Sequence, residues 1–187
     1  MKRLLLLSLL TLGLTAPVAA PALAQINLLE GPSMVKAVTS NDVNSLRMLL
    51  LKGENPNQVD ANGRPVLLLA IGNGHPELVR LLLDGGANPN RADKAGNNPL
   101  HYAVEADAPE AVDLLLAKGA KVDQDNRQGI TPLMSAARFG RADLVERLLK
   151  AGAKADRSDF TGRTTLSWAQ DSRNARVATL LRQAGAR

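Results

Sequence analysis

Glycine returns at a fixed interval of 33 residues, at Gly53, Gly86, Gly119, Gly152 and Gly185. Alanine keeps that interval at Ala37, Ala70, Ala103, Ala136 and Ala169, and leucine at Leu49, Leu82, Leu115, Leu148 and Leu181. A second glycine series, Gly63, Gly96, Gly129 and Gly162, marks a further phase. Glycine makes up 15 of the 187 residues, so four further coincidences at one spacing have a chance of roughly 4 × 10⁻⁵. A period of this length describes one supersecondary unit, repeated and stacked, in which no copy can bury its apolar face alone.

Laid on that period, the chain divides into units at 30–59, 60–92, 93–125, 126–158 and 159–187, the first and last truncated. The unit at 126–158 shows the local logic. Asn126-Arg127-Gln128-Gly129 reads as a tight turn, with the glycine free to take positive φ. Thr131 is placed to cap a helix that Pro132 opens, and the helix is expected to run to about Phe139 and stop at Gly140. A second helix over Ala142–Lys150 carries Leu144, Val145, Leu148 and Leu149 at helical spacing, with Gly152 as its terminator. The column alanines let first helices approach closely. The Leu-Leu pairs at 49–50, 82–83, 115–116 and 148–149 bury the second helices against the neighbouring units. Helices this short are unstable alone, so each depends on the stack.

The residues Gly129-x-Thr131-Pro132-Leu133-x-x-Ala136-Ala137-x-x-Gly140, then Leu144-Val145-x-x-Leu148-Leu149-x-x-Gly152-Ala153, resemble the ankyrin repeat. Gly96-x-Asn98-Pro99-Leu100-His101-x-Ala103, followed by Leu115-Leu116-x-x-Gly119-Ala120, is similar to a second copy. The resemblance covers the chain from about residue 30 onward. It implies an all-α solenoid of stacked helix-turn-helix units with projecting hairpin loops, and protein binding through the loop tips and the concave face of the first helices. Three departures stand out. Pro65 sits one place early, which is expected to alter that helix start. Thr165 and Ser167 replace the family's proline and histidine in the last unit. Glu30 replaces the turn glycine in the first, where Pro32, Ser33, Lys36 and Ser40 suit a capping unit with a polar outer face. Arg173, Arg176, Arg182 and Gln183 are expected to do the same at the other end.

The first 24 residues read differently from the rest. Met1-Lys2-Arg3 precedes an apolar run, Leu4–Leu14, and then Pro17, Pro21 and the small-residue site Ala22-Leu23-Ala24. That order is a Sec-type signal peptide, cleaved after Ala24, and the run is far shorter than the ~20 residues a membrane span requires. The expected mature chain, residues 25–187, is therefore periplasmic or secreted, without stable membrane insertion. There is no cysteine, which removes disulfides, thiolate ligands and a cysteine nucleophile. Without Lys2 and Arg3 the formal charge of +5 becomes +3, and aromatics are 2% of the chain, a poor endowment for nucleic acid.

No residue constellation suggests catalysis. His101 stands at the resemblance's Thr-Pro-Leu-His position, where a histidine typically bonds within and between units, and His75 precedes Pro76 in a turn of another unit. Ser135 and Ser167 lack a nucleophile elbow, no phosphate-binding loop occurs, and Asp123, Asp125 and Asn126 lack the glycine and glutamate of a calcium loop. No cofactor or metal is expected.

What remains is a surface. The resemblance places variable, outward-facing residues at the tips (Ala61, Asn62, Arg64; Lys94, Ala95, Asn97; Arg127, Gln128, Ile130; Phe160, Thr161, Arg163) and on the first helices (Gly72, Asn73; Glu105, Ala106; Arg138, Phe139). Partner contacts are accordingly expected at Arg64, Asn73, Lys94, Asn97, Glu105, Arg127, Ile130, Arg138, Phe139, Phe160 and Arg163. One cation per unit, at Arg64, Lys94, Arg127 and Arg163, suggests a basic column with about 10 Å between steps, suited to orienting an acidic partner surface. Ile130, Phe139 and Phe160 are the apolar anchors, whereas Tyr102 and Trp168 are expected to pack inward. A monomeric, non-enzymatic binder of another protein is the expected molecule. The alternative is an accessory, immunity or inhibitor protein acting on a periplasmic or membrane enzyme.

Overall fold

The structure, a computed structural model, describes residues 33–187. The expected leader with its cleavage point after Ala24, and Glu30 and Pro32 of the first unit, lie outside the described residues. Ten helices occupy the described residues, two per unit: α1 (Met34–Thr39) and α2 (Val43–Leu51), α3 (Val66–Gly72) and α4 (Pro76–Asp84), α5 (Pro99–Glu105) and α6 (Pro109–Ala117), α7 (Pro132–Arg138) and α8 (Ala142–Lys150), α9 (Thr165–Ser172) and α10 (Ala175–Gln183). Among the described residues the only β pairing is two isolated bridges, Val59–Pro65 and Ser158–Thr164, so the hairpins are turns rather than strands.

The helix starts follow their sequence signals. The Thr131 hydroxyl accepts from the Met134 N–H at 3.2 Å, and Asn98 Oδ1 accepts from the His101 N–H at 3.0 Å, each just before a proline whose missing N–H costs nothing there. Pro65 changes less than its position suggests. The helix begins in the same register, at Val66, with Pro65 extended at φ −56°, ψ 140°; only the side-chain cap is lost.

Between the two helices of each unit one residue takes positive φ: Asn41, Gly74, Asp107, Gly140 and Arg173. Arg173, at φ 53°, has no special affinity for that region, where an L-residue is destabilised by about 1–2 kcal/mol. Glycine would remove this at an entropic cost of about 0.5–1 kcal/mol. Arg173→Gly is therefore expected to raise Tm by about 2–4 °C in a thermal melt.

Stacking produces two rows. First helices touch first helices (α1–α3–α5–α7–α9), and second helices touch second helices (α2–α4–α6–α8–α10). Ala70, Ala103 and Ala136 are fully buried where the first helices meet, and Leu82, Leu115, Leu148 and Leu181 are fully buried in the second row. A larger residue in the alanine column would force the helices apart. The last unit presents Arg173, Arg176, Arg182 and Gln183 to solvent, as its sequence suggests. The first unit differs from expectation. Ser33, Lys36 and Ser40 are exposed, but so are Met48 (54%) and Leu51 (77%) on α2, so that outer face is partly apolar rather than polar.

Polar ladders tie the loops of neighbouring units together. Asn57 Oδ1 accepts from the Asn88 N–H at 2.8 Å, Asn90 Oδ1 from the Lys121 N–H at 2.7 Å, and Asp123 Oδ1 from the Lys154 N–H at 3.0 Å. Asp125 pairs with Arg157 at 2.8 Å. The oxygen-rich sequence at 123–126 thus serves the join between units.

His101 makes a similar join from the inside. It is 4% exposed, its Nδ1 accepts from the Asn98 N–H at 3.2 Å, and its Nε2 donates to the Ile130 carbonyl of the next unit at 2.9 Å. The neutral Nε2–H tautomer, which burial favours, makes both bonds, and Nδ1 also lies 2.8 Å from Asn98 Oδ1. Burial, against the weaker pull of the Ile130 carbonyl, lowers its pKa from the usual 6.5. The unfolded chain therefore takes up a proton first, and the stability His101 contributes is present above about pH 6.5 and lost progressively below it. Thermal melts should show Tm falling from about pH 7 to about pH 5.5, before the carboxylates titrate. His101→Gln should flatten that slope.

Candidate functional site

Each hairpin is shaped by one side chain at a repeated position: Asp60, Asp93, Asn126 or Asp159. The Oδ1 atom of each accepts from the backbone N–H groups two and four residues on, as in Asp60 with Asn62 and Arg64, both at 2.8 Å, or Asp159 with Thr161 at 2.8 Å and Arg163 at 3.0 Å. Asn97 and Ile130 are held by Asp93 and Asn126 in the same way. This Asx turn fixes the tip without help from a partner. The Arg64 N–H foremost holds the Asp60 carboxyl below its ordinary range, so the turn stays charged near neutrality.

Adjacent tips lean on one another. The Arg127 N–H donates to the Ala95 carbonyl at 3.1 Å, and the Phe160 N–H to the Gln128 carbonyl at 3.0 Å. A Cβ on Gly96 would meet the Arg127 backbone nitrogen at 2.8 Å, and one on Gly129 would meet that of Phe160 at 2.7 Å. Positive φ and the close approach of the next unit both demand glycine there.

This geometry separates the four cations. Arg64 belongs to one register with Asn97, Ile130 and Arg163; Lys94 and Arg127 belong to another with Ala61 and Phe160. The single basic column is therefore corrected to two rows, and they behave differently. Arg64 pairs with Asp60 of its own turn at 3.1 Å. Arg163 pairs with Asp171 at 2.5 Å and lies 3.9 Å over the Trp168 ring. Lys94 and Arg127, exposed at the tips, take part in none of the ion pairs among the described residues.

Where the hairpins meet the row of first helices, a notch of about 180 Å³ opens between the units at 93–125, 126–158 and 159–187. Asn97, Glu105, Ile130, Arg138 and Phe139 line it, so five of the eleven expected contact residues are brought together there. Trp168 and Ser135 line it too. Asn97 is occupied structurally, its Oδ1 accepting from Asn126 Nδ2 at 2.9 Å. Asn73 is exposed at the end of α3, away from this notch, and Phe160 (73% exposed) rides on Gly129 at the tip.

Trp168 and Tyr102 were expected to pack inward. Both do pack against the core, each remaining half exposed. Each donates its polar hydrogen to the turn carboxylate nine residues earlier: Tyr102 Oη to Asp93 at 3.0 Å, and Trp168 Nε1 to Asp159 at 3.1 Å. Burial and the Asp93 carboxylate raise the Tyr102 hydroxyl to about 12, so it remains a donor. The same register carries Leu69, Tyr102, Ser135 and Trp168. The notch lies where that column drops to serine, a signal visible in the sequence once Tyr102 and Trp168 are compared across the intervening unit.

The opposite surface is different in kind. Charges on the second helices and their turns pair across units: Arg80 with Glu110 at 3.0 Å, Lys118 with Asp84 at 2.8 Å, Arg141 with Asp107 at 2.8 Å, Arg147 with Asp113, and Arg176 with Asp143 at 3.0 Å. Each exposed pair contributes at most about 1 kcal/mol, but together they neutralise most of that face's charges, exposed Arg182 being an exception among the described residues.

Among the described residues, no group of His, Cys, Asp and Glu side chains converges to hold a metal ion, and no helix is long and apolar enough to cross a membrane. A family model for ankyrin repeats, in three copies, matches residues 34–126 and 109–187. No curated protein matches the chain.

Proposed function

Because this chain belongs to the ankyrin-repeat family, whose members are protein–protein interaction modules, we propose that it is an exported, non-catalytic recognition protein. It holds one partner against its hairpin tips and the adjoining first helices. The observation that carries this reading is the contrast between the two faces. The second-helix side pairs most of its charges across units and exposes large apolar residues only in the first unit (Met48 and Leu51), whereas the hairpin side leaves Lys94, Arg127, Glu105 and Arg138 outside the ion pairs of the described residues and exposes Phe139 (44%) and Phe160 (73%). Exposed aromatics beside unsatisfied cations are the composition of binding hot spots. Lys94 and Arg127 favour a partner whose facing surface is acidic.

Export rests on the basic, apolar and small-residue order of residues 1–24. The recovered protein should then begin at Gln25 by N-terminal sequencing; an intact leader on the bulk of the protein would refute export. For recognition, the mature chain is used as bait in extract from its own compartment. A protein retained by the parent should be lost with Phe139→Ala/Phe160→Ala and kept with Arg80→Ala/Arg147→Ala on the opposite face. Retention by the first variant, or loss only with the second, would overturn the reading.

A further inference from the structure

Resting on that reading, we infer that the notch beside Trp168 receives an extended segment of the partner bearing side chains of opposite charge three residues apart, its carboxylate on Arg138 and its cation on Glu105. Glu105 and Arg138 occupy the same position in successive units, 33 residues apart, and both line the notch. Both are exposed, and neither joins an ion pair among the described residues. The next residue at that position, Asp171, is already neutralised by Arg163. The notch therefore has one uncompensated cation and one uncompensated anion, separated by a single unit.

The surroundings prepare Arg138 for a carboxylate. Its guanidinium carbon lies 5.2 Å from the Trp168 ring centre and 5.8 Å from that of Phe139. Aromatic contact orients a guanidinium through its face and leaves the N–H edge free to bind a carboxylate in bidentate fashion. The Arg163 guanidinium lies over the same indole, so Trp168 holds two cations of which only one has a counter-ion. An arriving carboxylate supplies the second. Ser135 keeps the floor open where the units on either side place Tyr102 and Trp168.

The spacing follows from geometry. Stacked helices are about 8–10 Å apart, and a chain in the polyproline-II form advances about 3.1 Å per residue with three residues per turn, so side chains three residues apart lie on one side and span one unit. The occupant is thus a short mixed-charge segment in the polyproline-II form running along the stack. A uniformly acidic chain would satisfy Arg138 and oppose Glu105.

Trp168 is the only tryptophan, so its indole N–H resonance reports from the notch alone. The probes are blocked tetrapeptides: Glu-Thr-Val-Lys, the singly neutralised Gln-Thr-Val-Lys and Glu-Thr-Val-Gln, and Thr-Glu-Lys-Val with adjacent charges. The mature protein should show a saturable Trp168 shift with the first, and about threefold to tenfold weaker binding with each of the others. Arg138→Gln should weaken the first peptide by a similar factor. Ser135→Tyr, which restores the aromatic residue of the neighbouring register, should abolish the shift while leaving the melting curve intact. Equal binding of all four peptides, a shift undiminished in both variants, or no shift with any peptide would overturn the inference. Loss of the partner with Phe139→Ala/Phe160→Ala would still uphold recognition on this face if the peptides failed, so the two proposals fail separately.

Discussion

Leu115→Ala is expected to cost about 3–5 kcal/mol in equilibrium unfolding, the largest effect of any single substitution considered. Leu115 lies in α6 of the central unit, is fully buried, and belongs to the leucine column that joins the second helices. Truncation loses its transfer free energy and leaves a cavity that helices fixed from both sides cannot close. In a solenoid the loss has a further consequence. Each unit touches only its neighbours, so damage to the middle interface weakens the coupling between the two ends. A single sharp transition should broaden or split when urea unfolding is followed by circular dichroism. Leu51→Ala provides the control: the same atoms are removed from a residue 77% exposed, and the change should stay within about 0.5 kcal/mol. Similar losses at both positions would mean that the leucine column does not carry the stack.

The second large effect is expected at a turn glycine. Gly129→Ala places an L-residue at φ 77° and a Cβ 2.7 Å from the Phe160 backbone nitrogen. The conformational part costs about 1–2 kcal/mol. The clash adds to it, because the obstructing atom is backbone and cannot rotate away. Relief requires separating the two tips and losing the Phe160 N–H bond to the Gln128 carbonyl. The total should reach about 2–4 kcal/mol. Gly162 isolates the first part, with φ 83° and nothing within 4 Å of a Cβ. Gly162→Ala should therefore cost about 1–2 kcal/mol alone. The difference between the two variants, read from urea titrations, measures the contact between adjacent hairpins; equal costs would show that the tips do not lean on one another.

Much of this architecture was legible because repetition multiplies weak signals. One glycine before a proline says little, but Gly96, Gly129 and Gly162 in one phase, with Asn98, Thr131 and Thr164 two residues on, fix the turn and the helix start together. The second helix at Ala142–Lys150 has the limits its leucine spacing suggests. Pro65 misled in a small way, since burial of α3 holds the register even without a side-chain cap. The polar residues of α1 say nothing of Met48 and Leu51, because the exposed apolar side chains belong to α2.

The surface was harder to read than the fold. Arg64, Lys94, Arg127 and Arg163 look alike in a string of letters. Which of them is spoken for depends on Asp60 and Asp171, and on a difference of register that one-per-unit counting overlooks. Trp168 is anchored through its N–H yet presents its ring to the notch, a double role that a choice between buried and exposed cannot express. The pairing of charges across the second helices likewise joins residues 30 to 34 positions apart, and only the stack brings them together.

The central claim is that one face is completed by the protein itself and the other by a partner. Site-specific photo-crosslinking in the native compartment tests it most directly. A benzophenone side chain is placed in turn at Phe139, at Phe160 and, on the opposite face, at exposed Thr179 of α10. Adducts of one common mass at Phe139 and Phe160, with none at Thr179, are the expected result. Adducts at Thr179 alone, or an absence of adducts at all three, would contradict it.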